Sequence, residues 1–429
     1  AFLTWYNQPG TPKLKAKGEY NADAQSYTLN LKQSLKAHAK YPNLKAVPMP
    51  VALALFDAAT GEQLVLNSDS LFENGVKDGV YLFAQAEASI EFKDVKVKPV
   101  VSLLRNFSAP VDLEFNYSDQ DLAFLLQHET NGFNQWQAAQ TLLENILLKD
   151  HNAQVYLDAI SSPHLLPQLV NTDPLLASRL LDVPSEGYLA SRIDADYNPL
   201  VIQAKREALL NAVAQACKGF WKNIDQELQA PAEFSQAMGV RALKNIALAM
   251  MVRQGDESAF DLAYDKFKST GNMSERLGAL KVLVWNDAPQ AEKALIDFYL
   301  RFKGEALAMD QWFMIQAAHP KAEAQSIAYL TSHPDYDLAV PNRIRAVSGG
   351  LNANPVNTWS FGVEHFVNLA QYLDEKNPIV GSRLLQVLSR WYTLAEPQRS
   401  HVKAQLEALQ PLVKSKNVTE TLSTMLSVA

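Results

Sequence analysis

His128-Glu129 is the one His-Glu pair in the chain. A zinc-protease helix built on it needs a second histidine at position 132, so that both imidazoles share one helical face. Position 132 is Gly132, and His128 is expected to serve a structural role on a helix. Asp194-Ala195-Asp196-Tyr197-Asn198 begins like a calcium loop, but Pro199 stands where the turn needs glycine and Lys205 where the ion needs a bidentate glutamate. The same letters describe a turn leading into a helix with proline at its first position. Cys217 needs a base beside it to act as a nucleophile, and no histidine is near it in sequence. A buried, inert thiol on an amphipathic helix is the expectation. Phosphate loops, a G-x-S-x-G elbow and dinucleotide fingerprints are absent. These residues offer no catalytic group and no metal-ligand set.

Two helix starts bearing arginine are more informative. In Pro341-Asn342-Arg343-Ile344-Arg345, Asn342 is expected to cap a helix whose first turn holds both arginines. Cations there oppose the positive end of the helix dipole, so the placement asks for a compensating partner. In Asn377-Pro378-Ile379-Val380-Gly381-Ser382-Arg383, cap and proline open a second helix. Arg383 flanks the stripe formed by Val380, Leu384, Val387, Leu388 and Trp391, and Ile379 lies one turn earlier on the same side. An ion pair with a carboxylate of a neighbouring helix would satisfy such arginines, and so would an anionic ligand.

The elements that must position these residues change character near residues 107–119. Upstream, strands are expected at 13–17, 26–33, 50–57, 63–66, 80–84, 89–92 and 111–117, separated by turn signals such as Ala58-Ala59-Thr60-Gly61, Asn74-Gly75 and Asp78-Gly79. About a hundred residues of this kind read as a small β-sandwich. After Ser118-Asp119, a helix-start signal, the apolar residues recur with a helical period. In 135–149, for example, Trp136, Ala139, Leu142, Leu143, Ile146 and Leu147 share a stripe, leaving Gln137, Gln140 and Glu144 outward. Similar helices are expected at 199–218, 232–253, 256–268, 273–285, 289–302, 310–318, 361–373, 378–394 and 396–409. Short connections and the lack of a repeat period describe an irregular HEAT-like helical superhelix, and the domains are expected at 1–117 and 118–429. No long linker separates the two, so direct docking is expected.

The chain has 429 residues, 48% hydrophobic and 20% charged, with a formal net charge of -7. Its basic residues are scattered, which argues against nucleic acid as a partner. The longest apolar run, residues 246–252, is far shorter than the roughly 20 residues of a membrane span. A single cysteine points to a reducing compartment, hence the cytoplasm, with peripheral membrane association as a further option. The opening Ala1-Phe2-Leu3-Thr4-Trp5-Tyr6 reads as a point inside a longer protein.

Several segments match a known family. They are Trp5-Tyr6-Asn7-Gln8-Pro9-Gly10-Thr11-Pro12, residues 102–111 (Ser-Leu-Leu-Arg-Asn-Phe-Ser-Ala-Pro-Val), Phe133-Asn134-Gln135-Trp136-Gln137-Ala138-Ala139-Gln140, Met309-Asp310-Gln311-Trp312-Phe313, and the two arginine-bearing segments at 341–345 and 377–383. In these, and in their order from end to end, the chain resembles the C-terminal half of bacterial M1-family aminopeptidase N. The resemblance implies an immunoglobulin-like β-sandwich third domain at 1–117 and an α-helical fourth domain after it. It also implies that the zinc-binding H-E-x-x-H helix, its downstream glutamate, the G-A-M-E-N segment and the transition-state tyrosine belong to an upstream catalytic domain. This chain is thus expected to hold no zinc or other cofactor, to supply no catalytic residue, and to have no activity alone.

In that family the helical domain caps the catalytic domain and encloses a chamber that admits peptides. The pattern carries two chamber-facing arginines onto Arg345 and Arg383, where a guanidinium suits a peptide's carboxylate or carbonyl groups. Two departures stand out. Ile379 replaces a polar residue, which makes that wall more apolar, and 356–362 lacks the family's Phe-His and Gly-x-Gly-Tyr pattern, which implies a differently shaped entrance loop. The expected partners are the upstream catalytic domain and peptide substrates. The alternative is a stand-alone helical scaffold that binds another protein; an upstream H-E-x-x-H separates the two.

Overall fold

The computed structural model describes residues 2–65, 75–229 and 233–428. Expectations touching Leu66, Asn74 and Ala232 fall outside the described residues. The chain divides into two compact units, 1–182 and 183–429.

The first unit opens with β1 (Lys13–Asn21), β2 (Ser26–Ser34), β3 (Met49–Asp57), β4 (Val76–Lys77), β5 (Val80–Phe83), β6 (Glu87–Phe92), β7 (Pro99–Leu103) and β8 (Asp112–Glu114). These form two four-stranded sheets, ordered β6-β2-β1-β8 and β4-β5-β3-β7. Strand β1 shows why: Leu14 and Ala16 are buried while Lys13, Lys15 and Lys17 face out, the two-residue period of a strand with one wet face. Leu14, Leu29, Leu31, Val51, Leu53, Leu55, Phe83, Ile90 and Phe92 fill the space between the sheets. The Asp78-Gly79 turn between β4 and β5 takes positive φ at both residues, 51° and 73°, the twist a tight hairpin requires. β7 was not among the expected strands. All five of its residues are buried, so it shows no alternation by which a strand could be recognised. The expected strand at 111–117 shortens to β8, which pairs in parallel with β1 from Lys13↔Asp112 to Lys15↔Glu114.

Helices follow at Asp119–His128, Gly132–Lys149, Gln154–Ser161, Leu165–Thr172 and Pro174–Leu180. Ser118 opens the first with a capping box, its hydroxyl accepting from the Asp121 amide at 3.1 Å while Asp121 Oδ2 accepts from the Ser118 amide at 3.0 Å. The stripe expected on 135–149 is buried at Ala139, Leu142, Leu143, Ile146 and Leu147.

Sandwich and helices are joined by polar bonds at Arg105 and Glu129. Glu129, 3% exposed, accepts through Oε1 from Arg105 Nη2 at 2.7 Å and from the amides of Thr130 and Asn131 at 2.7 and 2.8 Å. Asn134 donates from Nδ2 to Ser102 Oγ and to the Leu103 carbonyl, both at 2.9 Å. These bonds hold Leu104, Asn106 and Phe107 at φ of 55°, 57° and 52°, a left-handed conformation that asparagine adopts readily but that is costly for leucine and phenylalanine.

Among its described residues the second unit has helices and no named strand, with an isolated bridge between Tyr197 and Leu394. Sequence-adjacent helices pack on each other, as Ser258–Ser269 does on Met273–Trp285 and Gly362–Lys376 on Pro378–Leu385. The helix expected at 378–394 instead ends at Leu385 and continues as short 3-10 turns at Gln386–Leu388 and Trp391–Thr393. Here tertiary bonds compete with the helix. The Thr393 carbonyl accepts from the Tyr197 amide at 2.8 Å, and the Ala395 amide donates to the Tyr197 carbonyl at 2.9 Å.

Replacing Glu129 with alanine takes the carboxylate from the Arg105 guanidinium, which keeps only Thr130 Oγ1 at 2.8 Å, and leaves two amides without their acceptor. The expected loss is about 3 kcal/mol of folding stability, read as a lower urea midpoint with an unchanged slope.

Candidate functional site

The candidate site lies within the second unit and is built by four helices, Met273–Trp285, Ala291–Phe302, Ala306–Ala317 and Pro341–Asn352. Between them is a cavity of about 840 Å³. Met273, Leu277, Phe302, Leu307, Ala308 and Met314 give it an apolar lining, and Glu305, Asp310, Gln311, Asn342 and Arg345 supply polar groups.

The helix carrying the arginines does not begin as the sequence suggests. Val340 is its N-cap, without a side-chain cap bond, and Pro341 takes the first helical position. Asn342 is therefore inside the helix, where its Oδ1 accepts from Arg345 Nη1 at 3.2 Å. The proline decides this, because its fixed φ suits the first turn and it has no N–H to satisfy.

Arg343 and Arg345 have different surroundings. Arg343 is 8% exposed and donates from Nε to Asp310 Oδ1 at 2.8 Å and from Nη1 to the Asp335 carbonyl at 2.7 Å. Its guanidinium also lies 4.8 Å from the centre of the Phe313 ring. Arg345 is exposed and reaches the cavity, and among the described residues its side chain has no carboxylate partner. Gly350, further along the same helix, allows a close approach, since a Cβ there would stand 2.6 Å from the Met314 carbonyl oxygen.

Arg383 and Ile379 belong to the helix Pro378–Leu385, capped by Asn377 as expected through the Val380 amide at 3.3 Å. Both are exposed, Ile379 at 56%, and neither lines the cavity. Among the described residues Arg383 has no hydrogen bond or ion pair. The segment after Asn354, expected as an entrance loop, is instead the short helix Pro355–Trp359 with Pro355, Asn357, Thr358 and Trp359 buried. Asp310 and Gln311 were not singled out as site residues by sequence. The signal for Asp310 was present in Arg343, a buried cation in an unfavourable helix position that needed an anion.

The chemical candidates rejected on spacing have structural places. His128 packs against Phe124, ring centres 4.6 Å apart, and lies against Gly61, where an added Cβ would collide with its ring. Burial lowers its pKa. Asn198 caps the helix Pro199–Ala216 through the Leu200 amide at 3.1 Å. Cys217 is buried, and burial pushes its thiol up to about 11, far from a reactive thiolate.

A family model described as a domain of unknown function (DUF3458_C) with ARM repeats matches residues 119–427, and one described as DUF3458 with an Ig-like fold matches residues 10–116. Aminopeptidase N of Escherichia coli is 30% identical over 430 residues, covering 96% of this chain and 48% of that protein. The aminopeptidase N of Caulobacter vibrioides is 31% identical, covering 98% of this chain and 49% of its own length. The chain belongs to the family of these DUF3458 domains and is similar to the C-terminal part of aminopeptidase N. It spans about half the length of these curated relatives. The crystal structure of Legionella pneumophila aminopeptidase A in complex with aspartic acid has the same fold, with a TM-score of 0.80 at 24% identity, over 100% of this chain and 50% of that one.

Two segments that carried the resemblance to the aminopeptidases, 309–313 and 341–345, thus meet in space at Asp310 and Arg343. Zinc finds no donor set among the described residues. Glu129 is occupied by Arg105, position 132 is Gly132, and among the described residues no three His, Cys, Asp or Glu side chains come together. Among the described residues no helix is long and apolar enough to cross a membrane.

Behind the arginine helix, Ser348 Oγ lies 3.2 Å from His365 Nε2. Burial pushes His365 down to about 4, so the ring is neutral at pH 7. An unfolded histidine titrates near 6.5, so the unfolded chain takes up a proton first as pH falls. Stability is expected to drop between about pH 6.5 and pH 4 by on the order of 2–3 kcal/mol. A His365→Gln variant should lack that portion of the decline when unfolding is followed across the same pH range.

Proposed function

We propose that this chain is a non-catalytic portion of a zinc-dependent aminopeptidase, in which its helical domain covers the active-site chamber and limits entry to short peptides. The observation that carries the proposal is the match of nearly the whole chain, 96–98%, to 48–49% of proteins named aminopeptidase N. The whole enzyme would release N-terminal residues with a zinc-activated water held by its upstream part. We place the domain boundary at 117/118, which the capping box at Ser118 supports. A cytoplasmic location, with peripheral membrane association as a further option, accords with the single free cysteine.

Arg345 and Arg383 are assigned to the chamber, where they attract the carboxylate end or main-chain carbonyls of a peptide. Support comes from their exposure and from the lack of a carboxylate partner for either among the described residues. An exo-acting enzyme holds the substrate amine at the reacting end, so a cation in the cap meets the far end. Ile379, one turn before Arg383, gives its wall an apolar character.

The test is a pair of substrates on the full-length enzyme. Arg345→Ala and Arg383→Ala are each expected to lower kcat/KM for a tripeptide about tenfold, the order of one charge-assisted contact. Turnover of a small uncharged aminoacyl amide should change less than about twofold. Equal losses on both substrates would sink the carboxylate assignment.

A further inference from the structure

We infer that the 840 Å³ cavity at Arg345 is a subsite for the C-terminal residue of a peptide, specific for an apolar side chain beside a free carboxylate. The inference rests on the reading of the chain as an aminopeptidase cap and adds which peptides that cap favours.

Volume and lining set the class of side chain. A space of 840 Å³ walled by Met273, Leu277, Phe302, Leu307 and Met314 admits a leucyl or phenylalanyl group, whereas an acidic side chain set against these walls would be desolvated. Leu307 is 76% exposed and Met273 37% exposed, so apolar surface at the mouth awaits cover.

Charge sets the other end of the ligand. Asp310 is paired with Arg343, its Oδ1 accepting from Nε at 2.8 Å, and among the described residues it makes no ion pair with Arg345. What remains is the Arg345 guanidinium, near the start of its helix, where the dipole disfavours a cation that has no anion beside it. A carboxylate supplies that anion, and guanidinium geometry suits it. Glu305, also in the lining, is an acceptor for the N–H of the same terminal residue, and it repels a second acid. Arg345 and Glu305 thus complement the two polar groups that flank the side chain of a peptide's last residue.

Binding to the 429-residue chain, measured by calorimetry, tests this apart from catalysis. The probes are acetyl-Ala-Ala-Leu, its C-terminal amide, acetyl-Ala-Ala-Asp and free leucine. The first should bind at least about tenfold more tightly than each of the others, the order of one lost charged contact or one unfilled apolar pocket. Arg345→Ala should remove the preference for carboxylate over amide. Leu307→Asp, at a position exposed enough to leave folding intact, should weaken the leucyl peptide about tenfold. Equal binding of peptide and amide, free leucine binding as tightly as the peptide, or no binding by the wild-type chain overturns the subsite. The cap reading is decided separately by turnover in the full-length enzyme, so either can fail alone.

Discussion

The candidate site depends on one ion pair, Arg343 with Asp310. It links the helices Ala306–Ala317 and Pro341–Asn352 at a point where both side chains are largely buried. Removing one partner from such a pair leaves a charge in low dielectric, so the pair fixes which way the two helices face. It also engages one of the two carboxylates in the cavity lining, Asp310. The result is a cation at the mouth of an apolar space, the electrostatic condition on which the proposed carboxylate recognition rests.

A second buried acid has the corresponding role in the first unit. Glu129 gathers Arg105 and two backbone amides, and Asn134 reaches Ser102 and Leu103. The bonds compensate for the left-handed backbone at Leu104, Asn106 and Phe107. A strained segment persists where surrounding bonds over-determine it, and here those bonds are the ones that tie sandwich to helix. The join is therefore made of specific polar contacts in addition to apolar packing such as Phe56 against Phe124.

Much of the architecture was legible because its periods are written in residue types. The helix at Met273–Trp285 begins and ends where the sequence places it, with Asn272 capping its start. β1, β2, β3, β5 and β6 fall where alternation and turn residues put them. β7 was hidden by being buried on both faces. Helices of eight residues or fewer, such as Gln154–Ser161 and Ala324–Thr331, were passed over because two turns give too few repeats to establish a period. Of the residues expected at the site through the resemblance at 341–345 and 377–383, Arg345 lines the cavity, and Arg383 and Ile379 lie outside it. The cavity was not visible, since Leu307, Phe302 and Met273 read only as ordinary amphipathic residues.

The sequence by itself determined the change from strands to helices at Ser118, the family, and the absence of H-E-x-x-H spacing at His128, because caps, periods and motif offsets are local. Tertiary structure decided which of two neighbouring arginines is spent on the fold and which has no carboxylate partner among the described residues. Arg343 and Arg345 occupy the same helical turn and the same local field. What separates them is the position of Asp310, thirty-three residues earlier in the chain, which only packing brings to one of them.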